Sequence, residues 1–116
     1  MNQSPHSGWA GRLLCCLMLG LLTACADPVM ERSLDRLVTY QSGYNGRDVI
    51  TEGTVRMFDD PLHYWIEDAQ LNRVAIEPAA LVADHVGERV RVQGRFMVNR
   101  DGGRLIRASE VTLAED

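Results

Sequence analysis

Asp59, Asp60 and His63 fall within five positions of one another, in the run Phe58-Asp59-Asp60-Pro61-Leu62-His63. Carboxylate oxygens suit hard cations and an imidazole adds a nitrogen donor, yet Asp-Asp-Pro is equally ordinary turn chemistry. Trp65 follows two positions later. If Tyr64 and Ile66 point into a core, then His63, Trp65 and Glu67 face outward, beside Arg73 and Ala75. An outward Trp65 is a stacking platform, of a kind worth about 1–3 kcal/mol per nucleic-acid base, and it would serve a sugar ring or an apolar peptide side chain equally well. A register shifted by one residue buries it instead, and alternation alone leaves both arrangements open.

Charge is the second chemical resource. The chain has twelve basic residues, all arginine, against sixteen acids. Residues 89 to 107 carry Arg89, Arg91, Arg95, Arg100, Arg104 and Arg107 against Asp101 alone, whereas residues 48 to 84 are strongly acidic. Arg95, Arg100 and Arg104 thus form a second candidate contact surface, a cationic ridge for an anionic polymer or an acidic partner. The alternative is that the arginines pair with Asp48 and Glu52 on a neighbouring strand as solvated ion pairs worth little each. His85 reads as a residue at the end of a helix, facing its dipole. No GxSxG, HExxH or phosphate-cradling loop is present, so no enzyme is expected, and no catalytic or metal-ligating set is assigned.

These side chains need elements to position them. The stretch GRDVITEGTV from Gly46 to Val55 is echoed by GERVRVQGRF from Gly87 to Phe96. Each has a turn glycine, an alternating strand, and a second glycine seven residues on, where a strand bends or bulges. Between them, residues 62 to 68 and 73 to 77 predict a hairpin around residues 69 to 72, followed by a short helix from Pro78 to about His85. Asn99 to Gly103 carries the Asp-Gly signal of another hairpin, and residues 104 to 113 make the last strand. The inward set includes Val49, Val55, Ile66, Val74, Ile76, Val82, Val90, Val92 and Phe96, together with Leu62, Val86, Leu105 and Leu113.

The order strand, strand, strand, helix, strand, strand resembles the OB-fold, an all-β, five-stranded Greek-key barrel with one or two short helices. That resemblance implies a ligand face across the second and third strands, which is where Trp65, His63 and Arg73 fall, with Asp59 and Asp60 on its rim. The fold by itself implies no activity.

Ahead of the barrel, Val29, Met30, Leu34, Leu37 and Val38 recur at helical spacing and predict an amphipathic helix over residues 29 to 41, capped by Asp27 with Pro28 in its first turn. It either packs over one end of the barrel or docks on a partner. Further upstream, Arg12 precedes ten apolar residues, Leu13 to Leu22. Ten is too few for a spanning helix and fits the hydrophobic region of a signal peptide. The sequence Leu22-Thr23-Ala24-Cys25 then resembles the lipobox of bacterial lipoproteins. Three regions follow: a signal peptide over residues 1 to 24, the lipidated Cys25 with tether and helix over 25 to 45, and the barrel over 46 to 116. The alternative is an ordinary secretory signal that leaves Cys25 free.

The lipoprotein resemblance implies a diacylglycerol and an N-acyl chain on Cys25, with no other cofactor, and several acyl chains hold a protein where one would not. Ala26, in place of an acidic residue directly after the cysteine, implies the outer membrane, facing the periplasm. The chain after the cleavage site carries a net charge of −5, which argues against nucleic acid as a partner. The expected function is a non-catalytic binding or adaptor module for a periplasmic protein or an envelope polymer. A structural subunit of an envelope assembly and a small-ligand or metal sensor built on Asp59, Asp60 and His63 are the alternatives.

Overall fold

The computed structural model describes residues 27–115; the leader, the lipobox and Cys25 lie outside the described residues. The two echoed stretches become β2 (Arg47–Asp59) and β5 (Arg89–Val98). In both, the leading glycine occupies the left-handed region, Gly46 at φ 81° and Gly87 at φ 87°, where a Cβ is penalised. The second glycine of each lies against another element at close range. A Cβ on Gly94 would collide with the carbonyl oxygen of Arg107, and one on Gly53 would sit 2.8 Å from Leu34 Cδ1.

The remaining strands are β1 (Met30–Glu31), β3 (Leu62–Glu67), β4 (Arg73–Glu77) and β6 (Arg104–Leu113). The sheet runs β1-β2-β3-β4-β6-β5, and β5 returns to pair with β2. β2 to β6 therefore close into a five-stranded barrel, with β4 and β6 parallel and the other barrel pairs antiparallel. This is the OB-fold topology. One row of the ladder passes from Arg56 through Trp65, Ala75 and Leu105 to Met97. Met97 follows Phe96, the partner of Arg47, so the row comes back to β2 ten residues before it left. That stagger tilts the strands and lets β2 serve two neighbours, β5 with its first part and β3 with its last.

The β3–β4 turn is organised by Asp68, whose Oδ1 accepts from the backbone N–H groups of Gln70 at 3.0 Å and Asn72 at 2.9 Å. Its Oδ2 accepts from Asn72 Nδ2 at 2.8 Å.

The expected helix over residues 29 to 41 is corrected. Residues 30 and 31 form β1, parallel to β2 with Met30 opposite Val49 and Glu31 opposite Ile50, because β3 reaches only as far as Thr54 and leaves that stretch of β2 open. The helix is shorter, α1 (Leu34–Thr39), followed by α2 (Gln41–Tyr44). Ser33 caps α1 in place of Asp27, its hydroxyl accepting from Arg36 N at 3.2 Å. Leu34 and Leu37 are buried in the core, so the helix packs over its own barrel. The helix expected from Pro78 is two 3-10 turns, Ala79–Leu81 and Ala83–His85, with Val82 fully buried between them.

The inward set also needs correction at its edges. Leu62, Val86 and Leu113 are exposed, and Ile106, not Leu105, is buried. On β6, Gln93 faces Glu110 but Gly94 faces Ala108, so Ser109 is an extra residue and the alternation changes phase across it. Thr51 is buried with the apolar core.

Candidate functional site

The side chains that alternate inward on β3 fix what lies on its outer side. Ile66 is buried and Tyr64 packs against the core, so His63, Trp65 and Glu67 stand on the outer face. Register then supplies their neighbours: Phe58 beside His63, Arg56 and Ala75 flanking Trp65, and Thr54 and Arg73 flanking Glu67.

Glu67 braces this face. Its Oε1 accepts from Trp65 Nε1 at 2.8 Å and lies 3.2 Å from Arg73 Nε, while Oε2 lies 3.9 Å from Arg56 Nε. The Glu67 side chain is 11% exposed, whereas those of Arg56 and Arg73 are about half exposed. The Arg73 guanidinium also stands over the indole, 5.6 Å from the ring centroid, within cation–π range. On the other side, the His63 ring is 5.2 Å from Trp65 at 31°, and Phe58 is 5.9 Å from His63 at 46°. Three rings therefore step from the exposed hairpin end, where Phe58 is 56% and Leu62 60% exposed, to the middle of the barrel wall.

Beyond Trp65 the same row continues as Ala75, Leu105 and Met97. These three floor an open groove of about 410 Å³, with Glu77, Asn99 and Arg107 at its edges. Rings and aliphatic side chains give the strip its apolar character, and guanidiniums border it on both sides. Such a surface can stack a flat or apolar group and bind a neighbouring anion or amide.

Asp59 and Asp60 are exposed at the β2–β3 turn. His63 Nδ1 lies 2.7 Å from the Pro61 carbonyl oxygen, which can only accept, so Nδ1 is the donor there. Among the described residues, no group of three or more His, Cys, Asp or Glu side chains is gathered to hold a metal ion.

The arginines of the last hairpin divide. Arg95 reaches Asp48 at 3.3 and 3.4 Å, Arg89 reaches Glu52 at 3.4 Å, and Arg91 reaches Glu31 at 2.6 Å. The hydrogen bond from Arg91, then its charge, hold the Glu31 carboxyl below its ordinary value. Arg104 closes one end of the barrel, donating to the Arg73 carbonyl at 2.9 Å and to Gln41 Oε1 at 3.1 Å. Arg100 is exposed on the β5–β6 turn, and Arg107 is exposed opposite Arg95. Trp65, His63 and Arg73 thus come together on one face, with Asp59 and Asp60 at its edge. Arg104 lines the groove beside Leu105, whereas Arg95, paired with Asp48, and Arg100, on the β5–β6 turn, do not line it.

Phe58, Arg56, Leu105 and Met97 belong to the same face and were not singled out for it by sequence. Alternation assigns a side to each residue, but only strand register says which residues lie abreast. No protein-family profile matches this chain, and no curated protein matches it in sequence.

Proposed function

We propose that this chain is a non-catalytic binding module, tethered by lipid at Cys25 to the outer membrane and facing the periplasm, that captures an apolar segment of a partner protein or envelope polymer on the Trp65 face. The observation that carries the binding assignment is the ring series Phe58, His63, Trp65, held in place by Glu67 and Arg73 and continuous with the Ala75–Leu105–Met97 groove. Aromatic rings pinned by hydrogen bonds lose little entropy when a ligand packs on them. The lipobox Leu22-Thr23-Ala24-Cys25 supports the tether.

The test is crosslinking capture from intact cells with the anchor retained, comparing the natural chain with Trp65→Ala and with Arg95→Ala, whose guanidinium pairs with Asp48 and does not line the groove. Loss of a stoichiometric partner in the Trp65 variant alone supports this face. A Trp65 variant that is folded and captures normally refutes it, and retention of peptidoglycan or lipopolysaccharide with no protein identifies a polymer ligand.

A further inference from the structure

Four residues at a spacing of four, Arg32, Arg36, Tyr40 and Tyr44, lie ahead of α1, on it, at its end and at the end of α2; Arg36 and Tyr40 are exposed, whereas Arg32 and Tyr44 are half-buried and the Tyr44 ring packs against the core at its edge. They are assembled into alternating cation and ring contacts. The Arg36 guanidinium stands 5.0 Å from the Tyr40 ring centroid, and that of Arg32 5.9 Å from the Tyr44 centroid. Arg32 Nε donates to the Tyr44 hydroxyl at 3.1 Å. Tyr40 is 56% exposed, and among the described residues Arg36 meets no carboxylate within ion-pair distance. None of these residues takes part in the Trp65 face.

Their place in the fold says what they meet. β1 is parallel to β2, so the chain enters at the barrel end where β2 begins, and α2 leads directly into that start. Five residue steps separate Cys25 from Met30, at most about 18 Å of extended chain. β2 has thirteen residues and leads away from that end, roughly 40 Å of strand at about 3.3 Å per residue. A lipid on Cys25 would hold the start of β1 within about 18 Å of the bilayer, at the end of β2 opposite the Phe58–His63 hairpin.

We propose that the Arg32–Arg36–Tyr40–Tyr44 stripe is a membrane-surface footing, in which the guanidiniums and the Tyr44 hydroxyl bind the phosphates of anionic lipid headgroups and the Tyr40 ring seats at the headgroup level. This rests on the lipid tether proposed above. Tyrosine and arginine are the side chains suited to that boundary, each with an apolar body and a polar tip. The Tyr44 hydroxyl accepts from Arg32 Nε and keeps its own proton to donate to a phosphate. Asp27 and Asp35 share this end of the chain and offset part of the attraction.

The test uses the full lipidated protein in vesicles of phosphatidylcholine with and without phosphatidylglycerol. With Cys15 and Cys16 removed alongside the leader, a lipidated Cys25 leaves no free thiol, so Thr39→Cys and Asp60→Cys each carry a single fluorophore. Quenchers attached to lipid headgroups should quench the label at position 39 at least threefold more than the label at position 60, and more so with phosphatidylglycerol present. Arg36→Gln should lower the docked-to-free ratio about fivefold, the effect of one charge near an anionic surface, whereas Arg36→Lys should largely preserve it. Equal quenching at both positions, or an Arg36→Gln variant that docks normally, overturns the footing while the anchor stands. If the natural protein itself reacts with maleimide at Cys25, the tether fails, and the footing with it.

Discussion

Replacing Glu67 by Gln keeps the shape of the side chain and removes the charge that braces the Trp65 face. The indole Nε1 then donates to a neutral amide oxygen. Bonds to charged acceptors contribute about 1.5–3 kcal/mol and neutral ones about 0.5–1.5 kcal/mol, so this exchange costs about 1 kcal/mol. The two ion pairs add little, because Arg56 and Arg73 are about half exposed and screened by solvent, each pair being worth about 0–1 kcal/mol. The expected loss is about 1–2 kcal/mol, or roughly 4–16 °C in Tm for a domain of this size. On the proposed cleavage before Cys25, Trp65 is the sole tryptophan left of the chain's two, so its fluorescence reports both unfolding and the state of the face. The variant also leaves Arg56 and Arg73 without their shared carboxylate, so iodide should gain access to the indole more than neutral acrylamide does. An unchanged Tm together with unchanged quenching by both agents would refute the bracing role of Glu67.

Gly94→Ala should destabilise the barrel by about 3 kcal/mol or more, because the new methyl meets the β6 backbone at Arg107 and Ala108. Gly53→Ala should cost less, about 1–3 kcal/mol, since the Leu34 methyl it meets first can move but the Ile66 Cβ at 3.0 Å and the Glu67 backbone nitrogen at 3.2 Å must also give; urea unfolding of the pair orders the two. Burial raises the Asp68 carboxyl, but hydrogen bonds from the Asn72 side chain and from the Asn72 and Gln70 backbone outweigh it and set its pKa below the ordinary value. Its contribution is therefore complete above the unfolded pKa near 3.9 and is lost as pH falls through the lower folded value. Asp68→Asn should flatten the pH dependence of unfolding below about pH 4, and an unaltered acid limb would exclude Asp68 as its source.

The barrel was legible because its two longest antiparallel partners repeat one pattern, and the glycines of that pattern have separate physical duties. Gly46 and Gly87 supply left-handed turns, and Gly53 and Gly94 allow close approach. Alternation offers two registers for Trp65, outward or core, and the burial of Ile66 selects the outward one. What periodicity could not supply was long-range competition for the backbone. Met30 has helical spacing with Leu34, yet the open edge of β2 draws residues 30 and 31 into a strand. The extra residue at Ser109 was equally invisible, because a bulge shows itself only against its partner, and it moved burial from Leu105 to Ile106. The site was legible to a lesser degree: its members on β3 as one of two possible registers, and its members on other strands only by pairing.

The parallel placement of β1 bears on how this domain would carry force. On the proposed anchoring, a partner pulling at the Phe58–His63 hairpin and a lipid pulling at Cys25 load β1 and β2 along their common axis. The ladder between them, the Arg32 N–H bond to the Ile50 carbonyl at 2.9 Å and the Arg91–Glu31 bridge then resist in shear, all at once. A strand pulled from the opposite end would peel away bond by bond. Two residues of strand thus join tether to barrel in the geometry that best resists tearing, and tension between membrane and partner reaches the barrel wall before it can unwind α1.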